Sequence, residues 1–280
     1  MSLDVGIIVI GQAIAIRVRI DPPAAPARTD SPPGQETTES MSSNLRILVG
    51  ICTYNEAGNI KAMLQRIGDA LPTADILVVD DGSPDGTAAR VATFAEANER
   101  QDSIRCIVRE ERGLGGAILS AMNASIEGGY DLFCNLDADL SHDPADLPRL
   151  VSAVADGFDV AVGSRYVPGG EIVGWPVRRK WMSRWINWIT RFRLGLPVND
   201  ASGSFRCYRV AALSRLDLND QPSEGYSFLQ EVLLKLHRQG ATFTEVPITF
   251  TERAVGDSKL DFREAVRSGW TVLRLRSKHS

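Results

Sequence analysis

Residues 75–87 read DILVVDDGSPDGT, a short apolar run with two carboxylates at its end, then a glycine- and proline-bearing turn and a threonine placed to open a helix. A run such as Asp75–Val79, brief and bounded by turn residues, has the pattern of a strand buried on both faces. Gly82 permits the tight turn, and Asp85 or Thr87 suits the cap of the next helix. The same unit recurs outward in both directions. Arg46–Cys52, Ile104–Val108, Asp131–Leu136 and Phe158–Val162 are further strand candidates, with helices predicted near Ala57–Ala70, Thr87–Glu99, Gly115–Glu127 and Pro144–Ala155. The order βαβαβαβαβ predicts an α/β domain built on a mainly parallel sheet.

In such a sheet ligands sit beyond the carboxyl ends of the strands. Here those ends carry Glu56, Asp80, Asp81, Asp85, Asp137 and Asp139, a rim that repels itself unless a cation or ligand hydrogen bonds offset the charge. Asp137 and Asp139 close the run YDLFCNL, and in extended chain residues i and i+2 point the same way, so both address one hard cation, Mg²⁺ or Mn²⁺, that also binds a diphosphate. A lone DxD is usually a solvated loop pair; its place at a strand end is what favours the metal. Tyr54 and Glu56 emerge from the first strand and suit a flat base and a ribose hydroxyl, while Asp80 suits acceptance of hydrogen bonds from base or ribose. Ser83, Asp85 and Thr87 read as capping residues. The turn Gly113–Gly116 lacks the full dinucleotide fingerprint and reads as a loop bringing backbone close to the nucleotide or metal.

Taken together, VDDGSPDGT, DADLSHDP, GSRY, GWPVRRK, SGSFRCYR, EGYSF and ERAVGDSKL resemble family 2 glycosyltransferases, and within them the dolichyl-phosphate and polyprenol-phosphate mannosyltransferases, from about Leu45 to Leu260. The resemblance implies a GT-A-type, Rossmann-like single domain at 45–260, a GDP-mannose donor, a dolichyl or polyprenyl phosphate acceptor, and metal-dependent transfer with inversion. It further implies that Cys52, Tyr54, Glu56, Val78 and Asp80 line the guanosine pocket, and that Asp137, Ala138 and Asp139 meet metal and diphosphate. Arg165, Arg253 and Lys259 would grip phosphate groups, with Arg165, Arg179 and Ser183 at the lipid phosphate; Asp139, Arg165, Arg179, Arg253 and Lys259 would carry catalysis. Two positions depart from the family pattern: Cys52 replaces the usual proline, and Ser141 stands where some relatives carry a metal-holding glutamine. Transfer of glucose or an N-acetylhexosamine from a UDP-sugar, a non-lipid acceptor, and a noncatalytic nucleotide-sugar-binding subunit are the competing readings.

The remaining features concern partners. A net charge of −4 over 280 residues gives no reason to expect nucleic acid. The 4 cysteines contain no CxxC pair, fitting reduced thiols in a cytosolic compartment. Residues 172–199 contain Trp175, Trp181, Trp185 and Trp188 with basic residues and no acid. Trp181, Trp185 and Trp188 share one helical face, the composition of a helix lying in a membrane interface; burial against the sheet is the plain alternative. A second amphipathic stretch, Phe262–Arg276, falls within a C-terminal segment at 261–280. No transmembrane run is present, so a peripheral enzyme on the cytoplasmic face of a membrane is expected, with room for a small anchoring subunit. Residues 1–44, with a Pro/Thr/Ser/Glu-rich tract at Asp21–Ser43, read as disordered or as an extension preceding a true start at Met41.

Overall fold

The structure, a computed structural model, describes residues 5–10, 13–18, 45–218 and 227–252. Two compact units divide the chain, Met1–Thr37 and Thr38–Ser280. In the first, β1 (Val5–Ile10) and β2 (Ala13–Val18) pair antiparallel, with Ile10 opposite Ala13. The tract Asp21–Ser43, expected to be disordered, lies outside the described residues. The two runs are rich in β-branched residues and only Gly11 and Gln12 separate them, which is hairpin spacing.

The second unit carries the α/β pattern. Its elements are β3 (Ile47–Thr53), α1 (Ile60–Ala70), β4 (Asp75–Asp80), α2 (Thr87–Ala97), β5 (Ile104–Val108), α3 (Leu114–Glu127), β6 (Leu132–Asp137), a 3₁₀ turn at Pro144–Asp146, α4 (Leu147–Ala155) and β7 (Val160–Ser164). There follow β8 (Glu171–Val173), α5 (Val177–Leu194), β9 (Arg206–Arg209), α6 (Val210–Leu213), α7 (Ser227–Arg238), β10 (Phe243–Pro247) and β11 (Thr249–Thr251). Seven strands form one sheet in the order β10-β7-β9-β6-β3-β4-β5. All neighbours are parallel except β9, which runs antiparallel to both β6 and β7. That strand, RCYR, was read from sequence only as part of a motif, because four residues with two arginines show no strand period.

Alternation along each strand divides the core into two layers. Leu48, Val79, Phe133 and Tyr208 face α3 and α7, while Val49, Ile51, Val78 and Leu136 face α1, α2 and α4. Gly50 is required in the middle of this sheet, since a Cβ there would lie 2.7 Å from the Phe133 ring. Registration then fixes the functional edge: Cys52 of β3 lies opposite Asp137 of β6, and Thr53 lies opposite Asp80 of β4. All four thiols are free, including Cys134 and Cys207, which face each other across β6 and β9.

Two features outside the main sheet matter for function. In α5 the buried residues are Asn187, Thr190 and Leu194, whereas Trp181, Trp185, Trp188 and Phe192 are 69%, 62%, 60% and 75% exposed. Its apolar face therefore points outward, the reverse of a helix packed on a core. No helix among the described residues is long and apolar enough to cross a membrane. Elsewhere β11 pairs parallel with β8, just ahead of α5, and its Phe250 bridges to His142, just after the DxD motif.

Candidate active site

The strand ends of β3 and β4 are knitted together by Asp80. Its carboxylate accepts from Thr53 Oγ1 (2.9 Å), from the Ser83 N–H (2.8 Å) and from Ser83 Oγ (2.5 Å). Asp85 accepts from the Ala57 and Thr87 N–H groups, and Thr87 Oγ1 in turn accepts from the Glu56 N–H at 3.0 Å. The N-cap of α2 is Gly86, with no side-chain cap; Ser83, Asp85 and Thr87 instead accept the N–H groups of Asn55, Ala57 and Glu56 respectively and so hold the segment after β3 in place. Asn55 stands at φ +61, a tight turn that leaves the Tyr54 ring beside the loop after β5. There the Arg112 guanidinium stacks over it, 4.3 Å from the ring centroid.

Asp81 has a separate task. It pairs with Arg109 at 2.7 Å and accepts the Gly113 N–H at 2.8 Å, anchoring the glycine-rich loop to the rim. The rim's negative field is felt by its thiols. Burial, followed by the charges of Asp137 and Asp81, raises the Cys52 thiol far above its ordinary range. Burial and Asp80 push Cys106 up to about 11.

The acidic motif differs from a straight extension. β6 ends at Asp137, the chain turns through Leu140 at φ +60, and Asp139 Oδ1 accepts the Ser141 N–H at 3.0 Å. Asp139 therefore projects from a turn. Two buried atoms in this loop, Ser141 Oγ and His142 Nδ1, have no hydrogen-bond partner among the described residues, and Nδ1 lies 3.9 Å from Asp137 Oδ2. Burial and the nearby Arg165 lower the His142 pKa to about 4, so this imidazole is neutral. Among the described residues no three His, Cys, Asp or Glu side chains form a metal cage. Mg²⁺ and Mn²⁺ need none when substrate phosphates complete the shell, and one or two carboxylates with neutral donors nearby fit such an ion.

Near the start of α5, Arg165 is 7% exposed, and its partner Asp200 is fully buried. Asp200 accepts from Arg165 Nε at 2.7 Å, Nη2 at 2.8 Å and the backbone N–H at 3.1 Å. Burial pushes the Asp200 carboxyl upward, but the charge and hydrogen bonds of Arg165 outweigh it and hold it below its usual value. Arg165, expected to grip phosphate, is first of all the cationic half of a buried ion pair. Its outer neighbours form a pocket of ≈ 290 Å³ between β8 and α5, lined by Tyr166, Glu171, Lys180, Trp181 and Arg184 among others. Ser183 is hydrogen-bonded to the Tyr166 hydroxyl at 2.7 Å. Arg179 lies over the Trp175 ring at 3.9 Å and pairs with Glu252 at 2.7 Å.

The expected site residues fall into four sets. Cys52, Tyr54, Glu56, Asp80, Asp137 and Asp139 gather at adjacent strand ends, and Arg165, Arg179 and Ser183 gather around the start of α5. Val78 and Ala138 do not join the first set as side chains: both are buried in the layer shared with α1 and α4, since alternation and the turn after Asp137 direct them inward. Arg253, Lys259 and the stretch Phe262–Arg276 lie outside the described residues. The sequence reading missed Arg112, Lys180, Arg184 and Asp200. For Lys180 and Arg184 a signal existed, because Val177, Lys180, Trp181 and Arg184 follow helical i, i+3, i+4, i+7 spacing; Asp200 was visible only as the acid ending the basic stretch.

Comparison with known proteins agrees with this architecture. Residues 48–217 match the profile of glycosyl transferase family 2. Polyprenol monophosphomannose synthase of Mycolicibacterium smegmatis is 41% identical over 235 residues, covering 82% of this chain and 88% of that protein. Undecaprenyl-phosphate mannosyltransferase of Micrococcus luteus is 41% identical over 218 residues, covering 77% of this chain and 88% of its own. Among solved structures, glucosyl-3-phosphoglycerate synthase from Mycobacterium tuberculosis, in complex with Mn²⁺, UDP-glucose and phosphoglyceric acid, superposes with a TM-score of 0.63 at 18% identity, over 87% of this chain and 83% of that one. At that identity the likeness concerns the fold, a GT-A-type α/β architecture.

Proposed function

The chain belongs to glycosyl transferase family 2, and from that premise we propose that it transfers mannose from GDP-mannose to the phosphate of a polyprenol or dolichol. The observation that carries this reading is the joining of two unlike subsites by one short strand. β11 donates the Thr251 N–H to Ser141 O at 3.0 Å on the acidic side and pairs with β8 beside the cationic pocket on the other. A nucleotide diphosphate suits the first subsite and an anionic acceptor the second.

Tyr54, Glu56 and Asp80 receive the guanosine, with Arg112 closing over the Tyr54 ring. Asp137 and Asp139 would hold Mg²⁺ or Mn²⁺, which when bound neutralises charge on the leaving diphosphate. A phosphate monoester is already anionic at neutral pH, its second pKa lying near ~6, so no strong protein base is required. The acceptor oxygen, oriented at Arg165, Arg179 and Ser183, attacks the anomeric carbon; the new C–O bond forms as the bond to the diphosphate breaks, with inversion, and GDP leaves. Positioning and charge stabilisation are the protein's contribution. The outward tryptophans of α5 rest at headgroup depth and make the enzyme peripheral to a membrane.

The test is transfer from labelled GDP-mannose, against UDP-glucose, to a short polyprenyl phosphate with Mg²⁺ or Mn²⁺. Asp139→Ala is expected to abolish turnover while the protein stays folded. Preference for UDP-glucose, or an active Asp139→Ala variant, overturns the donor assignment or the metal role respectively.

A further inference from the structure

Arg179 is one of the cations given to the acceptor phosphate, yet it is already paired with a carboxylate. Its guanidinium is covered on one face by Trp175, 3.9 Å from the ring centroid, and Nη1 meets Glu252 Oε1 at 2.7 Å. With a face blocked, an incoming anion must bind at the in-plane edges, where Glu252 already competes. The backbone position that carries the carboxylate is built into the fold. Glu252 donates its N–H to Val173 O at 3.0 Å, and Gly174, at φ +88, lets it approach so closely that a Cβ on Gly174 would lie 2.8 Å from Glu252 Cβ. Both partners remain partly open, at 29% and 40% exposed, so the pair is displaceable.

We propose that Glu252 is a specificity-determining guard: it reserves Arg179 for a doubly charged phosphate monoester and denies it to singly charged phosphodiesters. This rests on the reading above that Arg179 receives the acceptor. The exposed tryptophans next to it bring the site to a surface of the kind crowded with phospholipid headgroups, whose phosphodiesters carry one negative charge each. A carboxylate of equal charge, kept beside Arg179 by its backbone anchor, matches such a competitor. A phosphate monoester carries about −1.5 to −2 charge at neutral pH and displaces the carboxylate. Discrimination thus comes from a repulsive element set against the commoner ligand. Lys180 and Arg184 line the adjoining pocket, which Glu171 also lines.

The experiment compares wild type with Glu252→Gln, which keeps the shape and removes the charge. Binding of a short polyprenyl phosphate is measured by calorimetry without donor, in phosphatidylcholine vesicles and again in vesicles containing phosphatidylglycerol. In the first, Glu252→Gln is expected to bind about two- to fivefold tighter, the weight of one exposed ion pair. In the second, phosphatidylglycerol is expected to inhibit the variant more than the wild type. In an Arg179→Gln background, Glu252→Gln is expected to change neither value. Equal acceptor affinity in the two proteins, or equal inhibition by phosphatidylglycerol, overturns the guard. Because binding is read without transfer, a protein that binds the acceptor but moves no mannose refutes the proposed function and leaves the guard standing.

Discussion

Replacing Asp200 by asparagine tests how Arg165 is held. The carboxylate accepts from Arg165 at three atoms and from the Gly203 N–H at 3.1 Å, all in a site where Asp200 is fully buried. Asparagine keeps the volume, but its NH₂ group faces donors, and the guanidinium is left buried without a counter-charge. Breaking a buried pair from one side costs about 3–5 kcal/mol, and for a domain of this size that corresponds to a fall in Tm of about 6–20 °C. The assay is thermal and urea denaturation of wild type, Asp200→Asn and the double variant Arg165→Met/Asp200→Asn. The double variant should recover much of the loss, because no uncompensated charge remains. A pH arm follows from the lowered Asp200 pKa. A carboxyl whose folded value is depressed adds stability above its unfolded pKa of ~3.9 and loses it as pH falls through the folded value. Wild type should therefore weaken below about pH 4 by an amount that Asp200→Asn lacks. A loss under about 1 kcal/mol in Asp200→Asn, or a double variant no more stable than the single, refutes the reasoning.

The outward face of α5 is expected to serve membranes rather than stability. Changing Trp181, Trp185 and Trp188 to serine should shift unfolding by less than about 0.5 kcal/mol per site, as for ordinary surface positions, while cosedimentation with liposomes falls at least about tenfold; a large drop in Tm with unchanged liposome binding would show the helix to be packed in the protein. Arg112→Ala removes the cation stacked on Tyr54, a contact worth about 0.5–1 kcal/mol when exposed. The KM for GDP-mannose should rise about two- to fivefold with little change for the acceptor, and steady-state kinetics with each substrate varied in turn would detect the reverse.

What the chain discloses before folding depends on whether a residue's role is local. The strands β3, β4 and β6 were legible because each buries both faces and so reads as a nearly continuous apolar run; Asp80 and Asp137 were legible because they close those runs. Asp200 and Arg112 were not, because their importance lies in partners 35 residues away for Asp200 and across the rim for Arg112, at Tyr54. β9 was hidden for a related reason: it takes its identity from the gap between β6 and β7 and has no periodicity of its own. Val78 and Ala138 illustrate how burial hides behind sequence proximity. They sit among site residues in sequence, but alternation and the turn after Asp137 send their side chains into the core.

The three residues of β11 behave as a ruler. Phe250 touches His142 on one side and Trp175 on the other, with ring centroids 5.2 Å and 5.4 Å away, so a single phenyl group spaces the loop after the DxD motif from the residues ahead of α5. In strand geometry, lengthening the chain there by one residue would rotate that ring to the opposite face. The gap between the acidic loop and the cationic pocket is therefore built into the fold, and neither half can drift without dragging the other.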